Sequence, residues 1–133
     1  MNTQPFDTSY EKSATRPYLD QIHVLELLAD DIVLVQLLLT AYLQASSVEI
    51  AALKEAILTE DRRDVVVRAH RLRGSLRYLG TRDLEDMLLE IEAAANQAEP
   101  HELLIYYHSF YTAAHSLEQE IRHWQSQLRQ TAV

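Results

Sequence analysis

The residue with the most chemical potential in this chain is His70, set in Ala69-His70-Arg71-Leu72-Arg73-Gly74-Ser75. A neutral imidazole nitrogen is a competent nucleophile toward an activated phosphoryl group. It is available near pH 7 without a helping base, because the ordinary imidazole pKa is about 6.5. The N–P bond it forms is labile, which suits a group that is to be passed on. The segment from about Asp61 to Leu79 reads as helix. At about 100° per residue, Val65, Ala69, Leu72, Leu76 and Leu79 fall on one stripe. His70 points away from that stripe, alongside Arg63, Val67, Gly74 and Arg77, and is expected to be an exposed imidazole on a firmly packed helix. Gly74, one turn on, costs a helix roughly 1 kcal/mol relative to alanine. A bundle helix has no use for a glycine there. A partner that must bring its backbone close to His70 does.

Other side chains are positioned to support that chemistry. Arg73 can donate charge-assisted hydrogen bonds to phosphate oxygens, spreading over two of them. Gly80 reads as the residue closing the His70 helix, and His70 lies ten residues before it. In an antiparallel hairpin, a residue ten to twelve after Gly80 lies level with His70, and Glu92 falls at that depth. A carboxylate there can hold the other ring nitrogen, fix the tautomer and support the charged product. Arg77 is expected to steer or hold an acidic pocket on a partner. Val66 and Val67, beside the histidine and partly outside the core stripe, are expected to be apolar docking surface.

His101, His108 and His115 recur every seven residues. That is about 10.5 Å of helix rise, too far for neighbours to share a zinc ion at ligand distances near 2 Å. No metal site is expected.

These groups need helices to position them, and the chain supplies little else. Two glycines and three prolines against 47% hydrophobic residues, with no Asn-Gly or Asp-Gly hairpin signal, predict an all-α fold. Residues 1–16 are polar and aperiodic and read as a flexible leader or linker. Pro17 is expected to start a short helix through Leu28, with Leu19, Ile22, Leu25 and Leu28 apolar. A bundle helix should run from Asp30 or Asp31 to Ala45. Ser46-Ser47-Val48-Glu49 resembles a capping box, so another should begin there and end near Leu58, using Ile50, Leu53, Ala56 and Ile57.

After the His70 helix, Thr81 or Asp83 opens a helix with the stripe Leu84, Met87, Leu88, Ile91 and Ala95. Pro100 opens the last, whose stripe includes Leu103, Leu104, Tyr107, Phe110, Tyr111, Ala114, Leu117, Ile121, Trp124 and Leu128. Short connections between long amphipathic helices predict antiparallel neighbours. The expected architecture is an antiparallel up-down-up-down four-helix bundle with an additional N-terminal helix. The bundle domain should span 17–129, with a tail at 130–133.

Composition excludes several function classes. Without cysteine there are neither disulfides nor thiolate metal sites. No run reaches the roughly 18 uninterrupted apolar residues of a membrane span; Ile32 to Leu43 is interrupted by Gln36 and Thr40 and suits a core helix. The N-terminus lacks a secretory signal, so a cytoplasmic location is expected. Net charge is −8, yet seven of the twelve Lys and Arg lie between Arg62 and Arg82. With Asp64 as its only acid that window carries +6, leaving −14 elsewhere. An acidic protein with one basic helix is a poor nucleic-acid binder. A basic patch around one histidine suits a phosphoryl group or an acidic protein pocket. There is no glycine-rich nucleotide loop to hold ATP.

The run Ala69-His70-x-Leu72-Arg73-Gly74-Ser75, then Leu79-Gly80, Leu84 and Glu92, resembles the histidine-containing phosphotransfer (HPt) domain. The likeness spans about Asp30 to Trp124 and is densest from Val65 to Glu92. It departs from the family pattern at Arg73, where a lysine is usual, and at Asn96, where a basic residue is common. The resemblance implies a phosphorelay intermediate. His70 would take a phosphoryl group from a receiver-domain aspartate of a hybrid sensor kinase and give it to the aspartate of a response regulator. It also implies Arg73 on the phosphoryl oxygens, in the role of the family's lysine, and Glu92 on the ring. Mg²⁺ is expected on the partner receiver and no cofactor on this chain.

The polar leader and an end soon after the last helix suggest the C-terminal module of a hybrid kinase, which would make it the cytoplasmic portion of an inner-membrane sensor; a freestanding protein is the other arrangement left open. Two alternatives remain open. One is the chemotaxis-kinase type of phosphotransfer domain, phosphorylated directly by an ATP-binding kinase domain. The other is a helical adaptor without the chemistry.

Overall fold

Aspartates fix where the early helices begin. Asp20, Asp31 and Asp61 each accept a hydrogen bond from the backbone N–H three residues on, satisfying donors that a helix start leaves open. In the computed structural model, which describes residues 16–131, they open α1 (Gln21–Leu27), α2 (Ile32–Leu58) and α3 (Arg62–Arg77). Two more helices follow, α4 (Arg82–Ala94) and α5 (Pro100–Thr131). Pro100 takes the first helical position, and Glu102 reaches back to accept from the Glu99 N–H at 2.9 Å. No strand occurs among the described residues. Residues 1–15 of the expected leader and 132–133 of the expected tail lie outside the described residues, and α5 continues two residues past Arg129.

Helices α2 to α5 form the expected four-helix bundle, and α1 is the additional N-terminal helix. Packing runs round a ring, α2 on α3, α3 on α4, α4 on α5 and α5 on α2, while α1 leans on α2. The stripe Val65, Ala69, Leu72, Leu76 and Leu79 is buried as its periodicity predicts, with Leu84, Leu88 and Ile91 facing it and Phe110, Leu117 and Ile121 closing the core.

Four expectations are corrected. Ser46-Ser47 does not divide a helix. Nothing between Ile32 and Leu58 breaks the backbone, and α2 runs through both serines as one helix. The first helix begins at Gln21 and not at Pro17, because the Glu120 carboxylate holds the Tyr18 and Leu19 N–H groups at 2.9 and 2.8 Å in a non-helical run. In consequence Val24 is buried and Ile22 is exposed. Tyr111 is half-exposed, its ring stacked 6.0 Å from that of Tyr107, while Ala113 and Gln125 take buried places on α5.

Finally, α2 is more apolar than the bundle needs. Val35, Leu39 and Tyr42 enter the core, but Val33, Leu34, Leu37 and Val48 face outward. By length and composition alone α2 is long and apolar enough to cross a membrane, with an 18-residue window of mean hydropathy 1.4. Here it is a packed member of the ring.

The turn from α3 to α4 sets the depth of everything on those two helices. Gly80 adopts φ +68°, the left-handed conformation that glycine takes at low cost, and its N–H donates to the Arg77 carbonyl. A Cβ at this position would sit 2.7 Å from the Cβ of Asp20, so close approach of the N-terminal segment demands glycine as well. Thr81 is buried and donates its hydroxyl to the Leu76 carbonyl at 3.2 Å.

Candidate functional site

With Ala69 and Leu72 locked in the core, the residue between them that faces away is fixed on a rigid helix. The His70 side chain is 70% exposed, as the helix wheel requires. Glu92 on α4 comes level with it across the hairpin, and its Oε1 lies 3.8 Å from the His70 Nδ1. That is an electrostatic contact but too long for a hydrogen bond.

Between them lies Arg73. Its Nε donates to Glu92 Oε2 at 2.6 Å and its Nη2 to Oε1 at 3.3 Å, a forked pair of the geometry guanidinium favours. The same Nη2 is 3.2 Å from His70 Nδ1. Arg73 and Glu92 are 18% and 15% exposed, and the hydrogen bond Arg73 donates to Glu92 raises the guanidinium pKa still further. The Nε2 of His70 makes no hydrogen bond among the described residues. The ring therefore has one engaged edge and one edge turned to solvent.

Around this triad lie the other expected residues. Gly74 sits one turn beyond His70 with ordinary helical φ, and a Cβ built on it meets nothing within 4 Å. The bundle itself gives no reason for a glycine. Arg77 is exposed and reaches Glu85 of α4 at 3.8 Å. Val67 is 41% exposed, whereas Val66 is only partly so and packs against the core, so it offers less open surface than its neighbour. Arg71 and Ser75 flank the open side. A shallow groove between α2 and α3, with Leu38, Ala41, Ala45 and Leu72 along it, opens beside Gly74.

Sequence reasoning left Arg73 free for a phosphoryl group and Glu92 beside the ring; the structure joins them to each other first. The signal was in the chain. Arg77 with Glu85 and Arg73 with Glu92 are opposite charges nested on either side of the Gly80 turn. Leu89, exposed on α4 between those two glutamates, also escaped notice. Arg62, the first residue of α3, donates to the Ala95 and Ala98 carbonyls at 2.6 and 2.8 Å. It closes the end of α4, where a cation meets the negative pole of the helix.

Among the described residues, no three His, Cys, Asp or Glu side chains gather as a metal site. His101, His108 and His115 stand exposed along α5.

A protein-family model, the Hpt domain, matches residues 37–133, well over half of the chain. The match begins inside α2 and takes in His70, Arg73, Gly74 and Glu92. No match was found to a curated protein or to a solved structure.

Proposed function

The chain belongs to the Hpt domain family, whose work is histidine phosphotransfer in two-component signalling, and we propose that His70 is the residue that carries the phosphoryl group. The observation that supports this most is the imidazole itself: exposed, mounted on a packed helix, engaged at Nδ1 and open at Nε2.

In this reading the Nε2 lone pair attacks the phosphorus of an aspartyl phosphate on a receiver domain. The N–P bond forms, the P–O bond to the carboxyl group breaks, and its electron pair stays on the aspartate oxygen. The reverse exchange delivers the group to the aspartate of a second receiver. The donor would be the receiver of a hybrid sensor kinase and the acceptor that of a response regulator, each supplying its own Mg²⁺. The cytoplasm is the compartment that fits such partners.

The neighbours take the following roles. Arg73 donates to the phosphoryl oxygens, and Glu92 accepts from the protonated Nδ1 once the ring is charged. Gly74 clears a path for the partner's backbone. Val67, with a smaller share from Val66, gives the partner an apolar footing, and Arg77 offers a cation to its acidic pocket.

Incubation of the chain with a phosphorylated receiver and Mg²⁺ tests the assignment. Label that is acid-labile should appear on the wild type and be lost in His70→Gln, whose circular dichroism should be unchanged. Because the ring makes no core contact, its melting point should move by no more than about 0.5 kcal/mol implies. Persistent labelling of His70→Gln refutes the assignment. Labelling only by a kinase domain with ATP would instead favour the chemotaxis-kinase arrangement.

A further inference from the structure

A guanidinium group stays protonated in proteins and can only donate, and the Arg73–Glu92 hydrogen bond strengthens its hold on the proton. The nitrogen facing its Nη2 at 3.2 Å, His70 Nδ1, must therefore present a lone pair. The neutral ring then carries its proton on Nε2. Glu92 Oε1, at 3.8 Å from Nδ1, is too distant to draw a proton there, and each of its carboxylate oxygens already accepts from the Arg73 fork. A protonated Nε2 has no in-plane lone pair for phosphorus. Attack from the open edge needs the other tautomer.

We propose that Arg73 is a positioning residue that sets the tautomer of His70, holding the ring in its unreactive Nε2–H form until an incoming phosphoryl group draws the guanidinium away from Nδ1. The proposal rests on His70 as phosphoryl carrier. When Arg73 moves to the phosphoryl oxygens, Nδ1 takes a proton from water, Nε2 releases one to water, and the ring stays neutral. The new Nδ1–H turns to the freed Glu92 oxygen. The Nε2 lone pair then forms the N–P bond as the P–O bond of the aspartyl phosphate breaks, its electrons remaining on the carboxylate. Arginine suits this task because its planar fork spans a carboxylate and a ring nitrogen together; a lysine ammonium is a single point of charge. The arginine stands where the family pattern resembled by this chain usually has lysine.

The tautomer can be read directly. The full chain, labelled with ¹⁵N at histidine, is observed by long-range ¹H–¹⁵N correlation at about pH 8.5, some two units above the ordinary imidazole pKa. The His70 signals are assigned by their loss in His70→Gln; the other five histidines serve as internal controls. Wild-type His70 should be mainly Nε2–H. Arg73→Ala should invert the ratio to mainly Nδ1–H, and Arg73→Lys, which keeps a cation beside Glu92 and guards against a loosened fold, should move it the same way. The controls should not move.

A wild-type ring that is already mainly Nδ1–H, or a ratio unchanged in both Arg73 variants, overturns the role given to Arg73. Receiver labelling is scored in parallel. Loss of labelling in the wild type defeats His70 as carrier, whereas normal labelling with an unmoved tautomer defeats only the role of Arg73.

Discussion

Replacing Gly74 should move stability and transfer in opposite directions. The residue lies mid-helix in α3 with ordinary φ, and a Cβ at this site would meet no atom within 4 Å. Gly74→Ala therefore gains helix propensity without a clash, up to about 1 kcal/mol. For a chain of this length that corresponds to a rise in melting temperature of about 3–4 °C. Gly74→Gln should gain nearly as much, since glutamine is also a good helix former. Its side chain, however, projects into the space one turn, or about 6 Å of rise, from His70. If it costs the docked complex about 1.4 kcal/mol, the apparent second-order rate from a phosphorylated receiver falls about tenfold. Melting curves and rapid-quench transfer kinetics on the two variants give both numbers. Phosphoramidate, a small donor with no backbone to bring close, provides the control and should label both variants at the wild-type rate. Gly74→Gln transferring from the receiver as fast as wild type would show that the glycine clears nothing. A melting temperature lowered by Gly74→Ala would show that the open space beside it is not real.

The Gly80 turn should behave in the contrary way: Gly80→Ala, forced into φ +68° and against the Asp20 Cβ at 2.7 Å, should lose at least about 1–2 kcal/mol in denaturant titration, and an unchanged midpoint would contradict the geometry. Receiver-to-His70 transfer should slow with added salt as the Debye length shrinks from about 10 Å at 0.1 M to about 3 Å at 1 M, and Arg77→Glu should lower the rate and flatten that dependence. A salt-independent rate with a harmless Arg77→Glu would place docking on Val67 and its apolar neighbours. Burial pushes the Tyr42 hydroxyl up to about 12 from an ordinary 10.0, so the folded state favours the protonated phenol. The corresponding stability, about 2–3 kcal/mol, is fully present below pH 10 and lost as the pH rises through 12. Tyr42→Phe should remain flatter over that range, and an equally steep loss in the variant would refute the assignment.

What the sequence by itself determined is whatever depends on near neighbours along the chain. Helix periodicity put Val65, Ala69, Leu72 and Leu76 inside and His70 outside, and burial agrees at each, because a helical register leaves each side chain one direction. Gly80 was legible as the helix stop because only a left-handed residue ends α3 cheaply there. The depth of Glu92 followed from counting along two rods that meet at that turn.

Tertiary structure decided what long side chains and locally ambiguous segments do. Ser46-Ser47 carries a cap signal of modest strength, yet the helix runs through it unbroken, because Val35, Leu39 and Tyr42 before it and Leu53, Ala56 and Ile57 after it are buried in the same core. Arg62 and Arg73 each have several rotatable bonds and could have stayed in water. Which acceptors they choose depends on groups more than fifteen residues away, the carbonyls ending α4 for one and Glu92 for the other. Likewise, the apolar excess of α2 is visible in sequence, but which face turns outward is set by where α3 and α5 lie against it. Spacing could name the histidine; only the packed hairpin could bring Arg73 between it and Glu92, because a contact across two helices is fixed by their distance and rotation in space.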